Sequence, residues 1–202
     1  MTEEIYQDAK AYLQNRPASE RGLKSWKFRT PGLINLNPQD AFYWCGCEKC
    51  RKIAPPGREV IYRDYKYAKN ASDFLWKLAA EIGFRLKKEG VPGRISYSVY
   101  PPKYQLPSFD LPDNLYVYIC TNGQGADDAE IKKIKAWSQK LGRRLPVMTY
   151  ALGKHMQKAI PGIPPMMPHG IGRFIDANKS CIDGGLFESE SDTFISQYLN
   201  YY

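Results

Sequence analysis

The sequence predicts an α/β fold, part of a (β/α)8 TIM-type barrel with about five βα units, on three observations. Five short apolar runs alternate mainly with amphipathic stretches of helical period. The runs are nearly continuous in apolar residues, as strands buried on both faces of a parallel sheet should be. The segments that follow the runs are long and polar or proline-rich, whereas those that follow the helical stretches are short. That asymmetry is expected of a barrel with its site on one rim. Five strands do not close a barrel of eight. The expectation is therefore an incomplete barrel, with residues 1–202 as a single domain forming the C-terminal portion of a larger one.

Each element has a local reason. Ile5, Tyr6, Ala9, Tyr12 and Leu13 share one helical face, and Pro17 ends that helix. Gly32 to Asn37 forms a strand stopped by Pro38. The cysteine-rich loop and a long polar stretch from Arg51 to Lys69 come next. Asn70 or Ser72 then caps a helix that buries Leu75, Leu78, Ala79, Ile82 and Leu86 and ends at Gly90. Arg94 to Val99 is a strand ended by Pro101-Pro102, and Asn114 to Cys120 is the most strand-like run. No helical period separates these two, so their connection is short or irregular. Asp127 and Glu130 form a capping box for a helix that buries Ile131, Ile134, Trp137 and Leu141. Pro146 to Tyr150 is the fourth strand, and a helix with Ile171, Phe174 and Ile175 follows a proline-rich loop. Cys181 to Phe187 is the fifth strand, and Ser191 caps a last helix carrying Phe194, Ile195, Tyr198, Leu199 and Tyr202.

Composition bounds the function. The chain of 202 residues carries a net charge of +8 and 15 tyrosines. Its basic residues are scattered over predicted helix faces and ends, which is the pattern of a solvated surface and argues against nucleic acid as a partner. No apolar run has membrane-spanning length, so no membrane crossing is expected. Met1 to Glu4 opens an amphipathic stretch and not a signal peptide, which leaves the compartment open because a parent chain could be exported. Five cysteines, three of them within six residues, argue against a disulfide framework.

On the barrel expectation, residues just past each strand share one rim. These are Asn37 and Asp40, Tyr97 and Tyr100, Asn122, Tyr150, Glu188 and Glu190, with His169 nearby through the proline-rich loop. Carboxylates, tyrosines and an amide converging there suit glycosidic chemistry, in which one carboxyl protonates the leaving oxygen and a second acts as nucleophile or base. Glu188 is the first candidate for the acid or nucleophile and Asp40 for the second carboxylate. Asn37, Tyr97, Tyr100, Tyr150 and His169 are the candidates for substrate contact. A helix-start acid beside the Ser191 cap is the alternative for Glu188, and a turn-forming acid the alternative for Asp40. Cys45, Cys47 and Cys50 have a spacing compatible with a structural zinc, and three thiols that only pack are the alternative. The chemistry envisaged requires no cofactor. Gly123-Gln124-Gly125 lacks a third glycine at Asp128, and no HExxH, GxSxG or Walker lysine motif occurs.

The order Asn37-x-x-Asp40, Cys45-x-Cys47-x-x-Cys50 and Ser72-Asp73-Phe74 resembles a bacterial uncharacterised-function family of TIM-barrel, alpha-glucuronidase-like proteins related to glycoside hydrolases. The likeness continues through Tyr100-Pro101-Pro102, Leu111 to Val117, Trp137, Tyr150 and Gly184 to Glu188, and covers about residues 30 to 202. It implies a barrel that hydrolyses or binds a carbohydrate, polysaccharide or glycoconjugate, with uronic acids among the candidate sugars. If an enzyme, the chain would be a glycoside hydrolase. Larger relatives carry strands before the first helix here, so the resemblance also implies N-terminal barrel strands of a parent chain as partners. The rival expectation is a non-catalytic binding module, with a zinc-pinned cysteine-rich loop and a basic surface for an anionic polymer.

Overall fold

The computed structural model describes residues 2–26, 30–38, 45–54, 65–121, 127–152 and 168–189, the side chains of Tyr65, 150–152, Pro168 and 187–189 aside. Its elements, in chain order, are α1 (Thr2–Leu13), β1 (Leu33–Asn35), α2 (Glu48–Ile53), α3 (Tyr65–Lys88), β2 (Arg94–Val99) and β3 (Leu115–Thr121), then α4 (Asp128–Leu141), β4 (Leu145–Leu152), α5 (Pro168–Asn178) and β5 (Ile182–Ser189). The strands form one parallel sheet in the order β1-β2-β3-β4-β5. Ile34 pairs with Ile95, Cys120 with Met148, and Met148 with Leu186. The order does not reverse among the described strands.

The chain separates within β3 into two compact units, residues 1–117 and 118–202. The first is built on α3. Leu75, Ala79, Ile82 and Leu86 are buried along it as the helical period predicts, Trp76 and Ala80 are buried with them, and Leu78 is half-buried. Trp76 meets the ring of Tyr97 on β2 edge-on, at 4.8 Å between centroids. Truncating such a buried indole costs roughly 3–5 kcal/mol. Gly83 admits the neighbouring loop, because a β-carbon there would lie 2.7 Å from Cγ of Pro112. Its carbonyl accepts from Nδ2 of Asn114 at 2.9 Å.

Helix α1 packs on α3 through buried Tyr6, Ala9, Tyr12 and Leu13, and charged side chains trim the seam. The Arg85 guanidinium lies 3.7 Å over the Tyr6 ring and pairs with Glu3 at 2.8 Å. Lys10 pairs with Glu89 at 2.6 Å. These cations hold the carboxyls of Glu3 and Glu89 below the usual glutamate range, through the hydrogen bonds first. Whatever stability they contribute is present above the unfolded glutamate pKa and is lost as pH falls through the folded values.

Two expectations about the middle of the chain are corrected. Helix α3 starts at Tyr65, ahead of the anticipated caps at Asn70 and Ser72. Both side chains serve tertiary contacts instead: Asn70 donates to the Ile53 carbonyl at 3.1 Å and Ser72 to that of Gln105 at 3.0 Å. The polar stretch from Arg51 to Lys69 is also shorter than it reads, since α2 and α3 take up its ends.

In the second unit Asp127 caps α4, its carboxylate accepting from the amides of Ala129 and Glu130, and Gly142 closes the helix in the left-handed conformation. Ile134 and Trp137 are buried on α4, and Ile171 and Phe174 on α5. Strands β4 and β5 run longer than anticipated, so Tyr150 and Glu188 lie inside their strands and not past them. Leu186 on β5 is 60 % exposed, unlike the enclosed β2.

Gly93, at φ +105°, leads the chain into β2, where a β-carbon would meet Cδ2 of Leu13 at 2.7 Å and the Gly32 carbonyl at 2.9 Å. Gly93→Ala should therefore lower the urea-unfolding free energy by about 1–3 kcal/mol. Gly90, at φ +67° with nothing within 4 Å, should lose less as alanine in the same measurement. Equal losses at the two positions would refute the steric argument.

Candidate functional site

Two clusters of chemistry-bearing side chains stand out among the described residues, both in the first unit. One is the cysteine triplet. The Sγ atoms of Cys45, Cys47 and Cys50 all lie within 4.8 Å of one another. Cys47 precedes α2 in an extended conformation, and Cys50 follows in the first turn. The backbone amide of Cys50 and the thiols of Cys45 and Cys50 hydrogen-bond the Cys47 sulfur and lower its pKa to about 7. Cys50 is shifted upward in turn, because it keeps the proton it shares with Cys47. The group thus favours a thiolate at Cys47. Three close thiols of this kind could hold a metal ion.

The second cluster sits at the C-terminal ends of β1 and β2. The ladder between these strands continues one bond past β1, from the Leu36 amide to the Ser96 carbonyl at 3.3 Å. The Asn37 side chain then replaces the backbone: its Oδ1 accepts from both the amide and the hydroxyl of Ser98, each at 2.8 Å. An amide N–H can only donate, so the accepting Asn37 atom is the oxygen and its Nδ2 donates, here to Oδ1 of Asn35 at 2.7 Å. With its proton committed to Asn37, the Ser98 hydroxyl offers lone pairs to Lys103, whose Nζ donates at 2.8 Å. The chain of bonds runs one way, from Lys103 through Ser98 to Asn37.

Lys103 is 2 % exposed. Its ammonium lies 5.1 Å from the ring centroid of Tyr97 and 5.9 Å from that of Tyr100, faces that attract a cation. Helix α3 fixes the backbone around it. Trp76 Nε1 donates to the Lys103 carbonyl at 2.9 Å, Ser72 to that of Gln105 at 3.0 Å, and Lys69 to that of Leu106 at 3.1 Å. Lys69, Ser72 and Trp76 recur at one-turn spacing, so one face of α3 grips the loop after β2.

Of the residues singled out from sequence, Asn37 and Tyr100 belong to this cluster and are half-buried. Tyr97 is buried, with its hydroxyl donating to the Leu75 carbonyl at 3.3 Å and its ring facing Lys103, and desolvation raises its pKa far above the ordinary tyrosine value. His169 is exposed near the start of α5. Asp40, Asn122 and Glu190 lie outside the described residues, as do the side chains of Tyr150 and Glu188. Ser98 and Lys103 were not singled out. The signal for Ser98 is its alternation with Ser96 against Ile95, Tyr97 and Val99, which puts two hydroxyls on one face. A lysine in a proline-rich loop carries no such mark.

Comparison of the chain with protein-family models, with curated proteins and with solved structures finds no match.

The bond from Lys103 to Ser98 should show as energetic coupling. In a double-mutant cycle of Ser98→Ala and Lys103→Met, urea unfolding should give a coupling energy of roughly 1–3 kcal/mol. Additive losses would mean that the two side chains are only neighbours.

Proposed function

We propose that this chain is a glycoside-hydrolase-like barrel domain that hydrolyses or binds a carbohydrate. The observation that carries the reading is the one-way chain Lys103–Ser98–Asn37 at the C-terminal ends of adjacent parallel strands, the edge where α/β barrels keep their sites. An oriented set of polar groups, buried at Lys103 and Ser98, is costly to keep there unless it is fully bonded, and it holds its members in one geometry. Two further features support the reading. The sequential strand order is that of a barrel wall, in which these five strands would be five of the eight. The likeness to alpha-glucuronidase-like barrel proteins runs through the same stretches, Asn37 to Asp40 and Tyr100 to Pro102.

In this reading Glu188 supplies the general acid or nucleophile and Asp40 the second carboxylate. Tyr100, Tyr150 and His169 contact sugar, while Tyr97 acts through its ring on Lys103. Asn37 is held by Ser98 and Asn35, so its carboxamide is a preset contact. The +8 charge of the chain favours sugars that carry carboxylates, such as uronic acids.

The test is a screen of the full-length protein against aryl glycosides of uronic acids and amino sugars. Glu188→Gln should cut hydrolysis of any accepted substrate by about 10²–10⁴-fold while leaving the circular dichroism spectrum intact. An unchanged rate would remove Glu188 from the mechanism. Hydrolysis of none of the glycosides, together with no glycan binding in calorimetry, would remove the carbohydrate reading altogether.

A further inference from the structure

We propose that Cys45, Cys47 and Cys50 together bind one zinc ion as thiolates, and that the ion fastens Cys45 to the first turn of α2. This inference does not depend on the carbohydrate reading. In tetrahedral zinc the sulfurs stand about 2.3 Å from the metal and hence about 3.8 Å from each other. The three Sγ atoms already lie within 4.8 Å, so small side-chain rotations complete the geometry. The donor set is sulfur only, which selects thiophilic ions such as zinc over magnesium and calcium.

The backbone around the triplet is set up for this. Cys47 and Cys50 are one helical turn apart, and α2 holds that turn through the bond from the Arg51 amide to the Cys47 carbonyl at 3.0 Å. The Arg51 side chain folds back, its Nε donating to the Gly46 carbonyl at 2.5 Å, which keeps the Cys45–Cys47 step against the helix. The guanidinium then stands beside a site that carries three thiolate charges against the two of zinc. At its other end α2 is docked on α3: Asn70 donates to the Ile53 carbonyl at 3.1 Å, and buried Ala54 and Ala71 pack with Tyr67. Cys45 and Cys47 are exposed and Cys50 is half-buried, so the ion can reach its ligands from solvent. Binding forms three Zn–S bonds, and each sulfur that is still a thiol gives up its proton to solvent. Water or another oxygen, nitrogen or sulfur donor takes the fourth position.

Two measurements on the full-length protein, reduced and freed of metal, test the assignment. The first is thiol reactivity. Exposed Cys45 and Cys47 should react at once with a disulfide reagent, and equimolar zinc should slow them by about tenfold or more, because bound thiolates are poor nucleophiles. The second is metal content after gel filtration, expected at about one zinc per chain and below about a tenth of an equivalent in Cys45→Ser, Cys47→Ser and Cys50→Ser. Unchanged thiol rates with zinc would overturn the proposal, as would full zinc content in the variant lacking all three cysteines. The reactivity measurement uses the wild-type chain, so it decides the matter even if a variant does not fold.

Discussion

The first unit depends on the hydrogen bond from the Trp76 indole to the Lys103 carbonyl. Its geometry does two things at once. The fully buried indole fills the space between α3 and β2, where it meets Tyr97 edge-on, so the apolar core is organised around it. Its single N–H, which must find an acceptor once buried, then takes the one carbonyl that fixes Lys103. Core packing and placement of the polar cluster are therefore one constraint. The lysine side chain has to run inward from that fixed backbone, along the Tyr97 and Tyr100 rings, to a hydroxyl on β2. Ser72 and Lys69 extend the grip by one helical turn each, and so the loop after β2 is tied down without secondary structure of its own.

Much of this fold was legible because two periodicities dominate the sequence. Buried Leu75, Ala79, Ile82 and Leu86 on α3, the Asp127 cap of α4 and the apolar runs of β2 and β3 follow from spacing alone. Where the structure departs from the local signal, a tertiary contact overrides it. Asn70 and Ser72 look like helix caps because their side chains compete for nearby backbone groups. Here those groups bond the Ile53 and Gln105 carbonyls, and the helix continues toward Tyr65. Helix α2, of six residues, is too short for its periodicity to register. The close thiols were legible from spacing, since three cysteines in six residues can hardly avoid one another.

The polar cluster was only half legible, for a physical reason. Asn37 stands out as a polar residue at a strand end, yet its role is to carry the ladder onward past Asn35, where β1 ends short of the expected Asn37. Lysine is the residue that sequence most readily assigns to solvent. Its long apolar stem also lets it line a buried aromatic wall, and nothing in the spacing of Pro101, Pro102 and Lys103 reports that choice. The information lies in Trp76, whose indole needs an acceptor 27 residues away.

The two clusters solve opposite problems. The Lys103 chain is internal: its energy comes from satisfying groups that burial has cut off from water, and its cost is the desolvation of an ammonium. The Ser98 hydroxyl and the ring faces of Tyr97 and Tyr100 recover part of that cost, and the bond direction leaves one arrangement for Ser98 and Asn37. The cysteine triplet is at the surface, where the thiols are hydrated and burial contributes little to holding them. Their proximity is enforced by α2 and by the Arg51 bond to Gly46, not by a core. Repulsion between thiolates at that distance favours keeping a proton on Cys50 while Cys47 carries the charge.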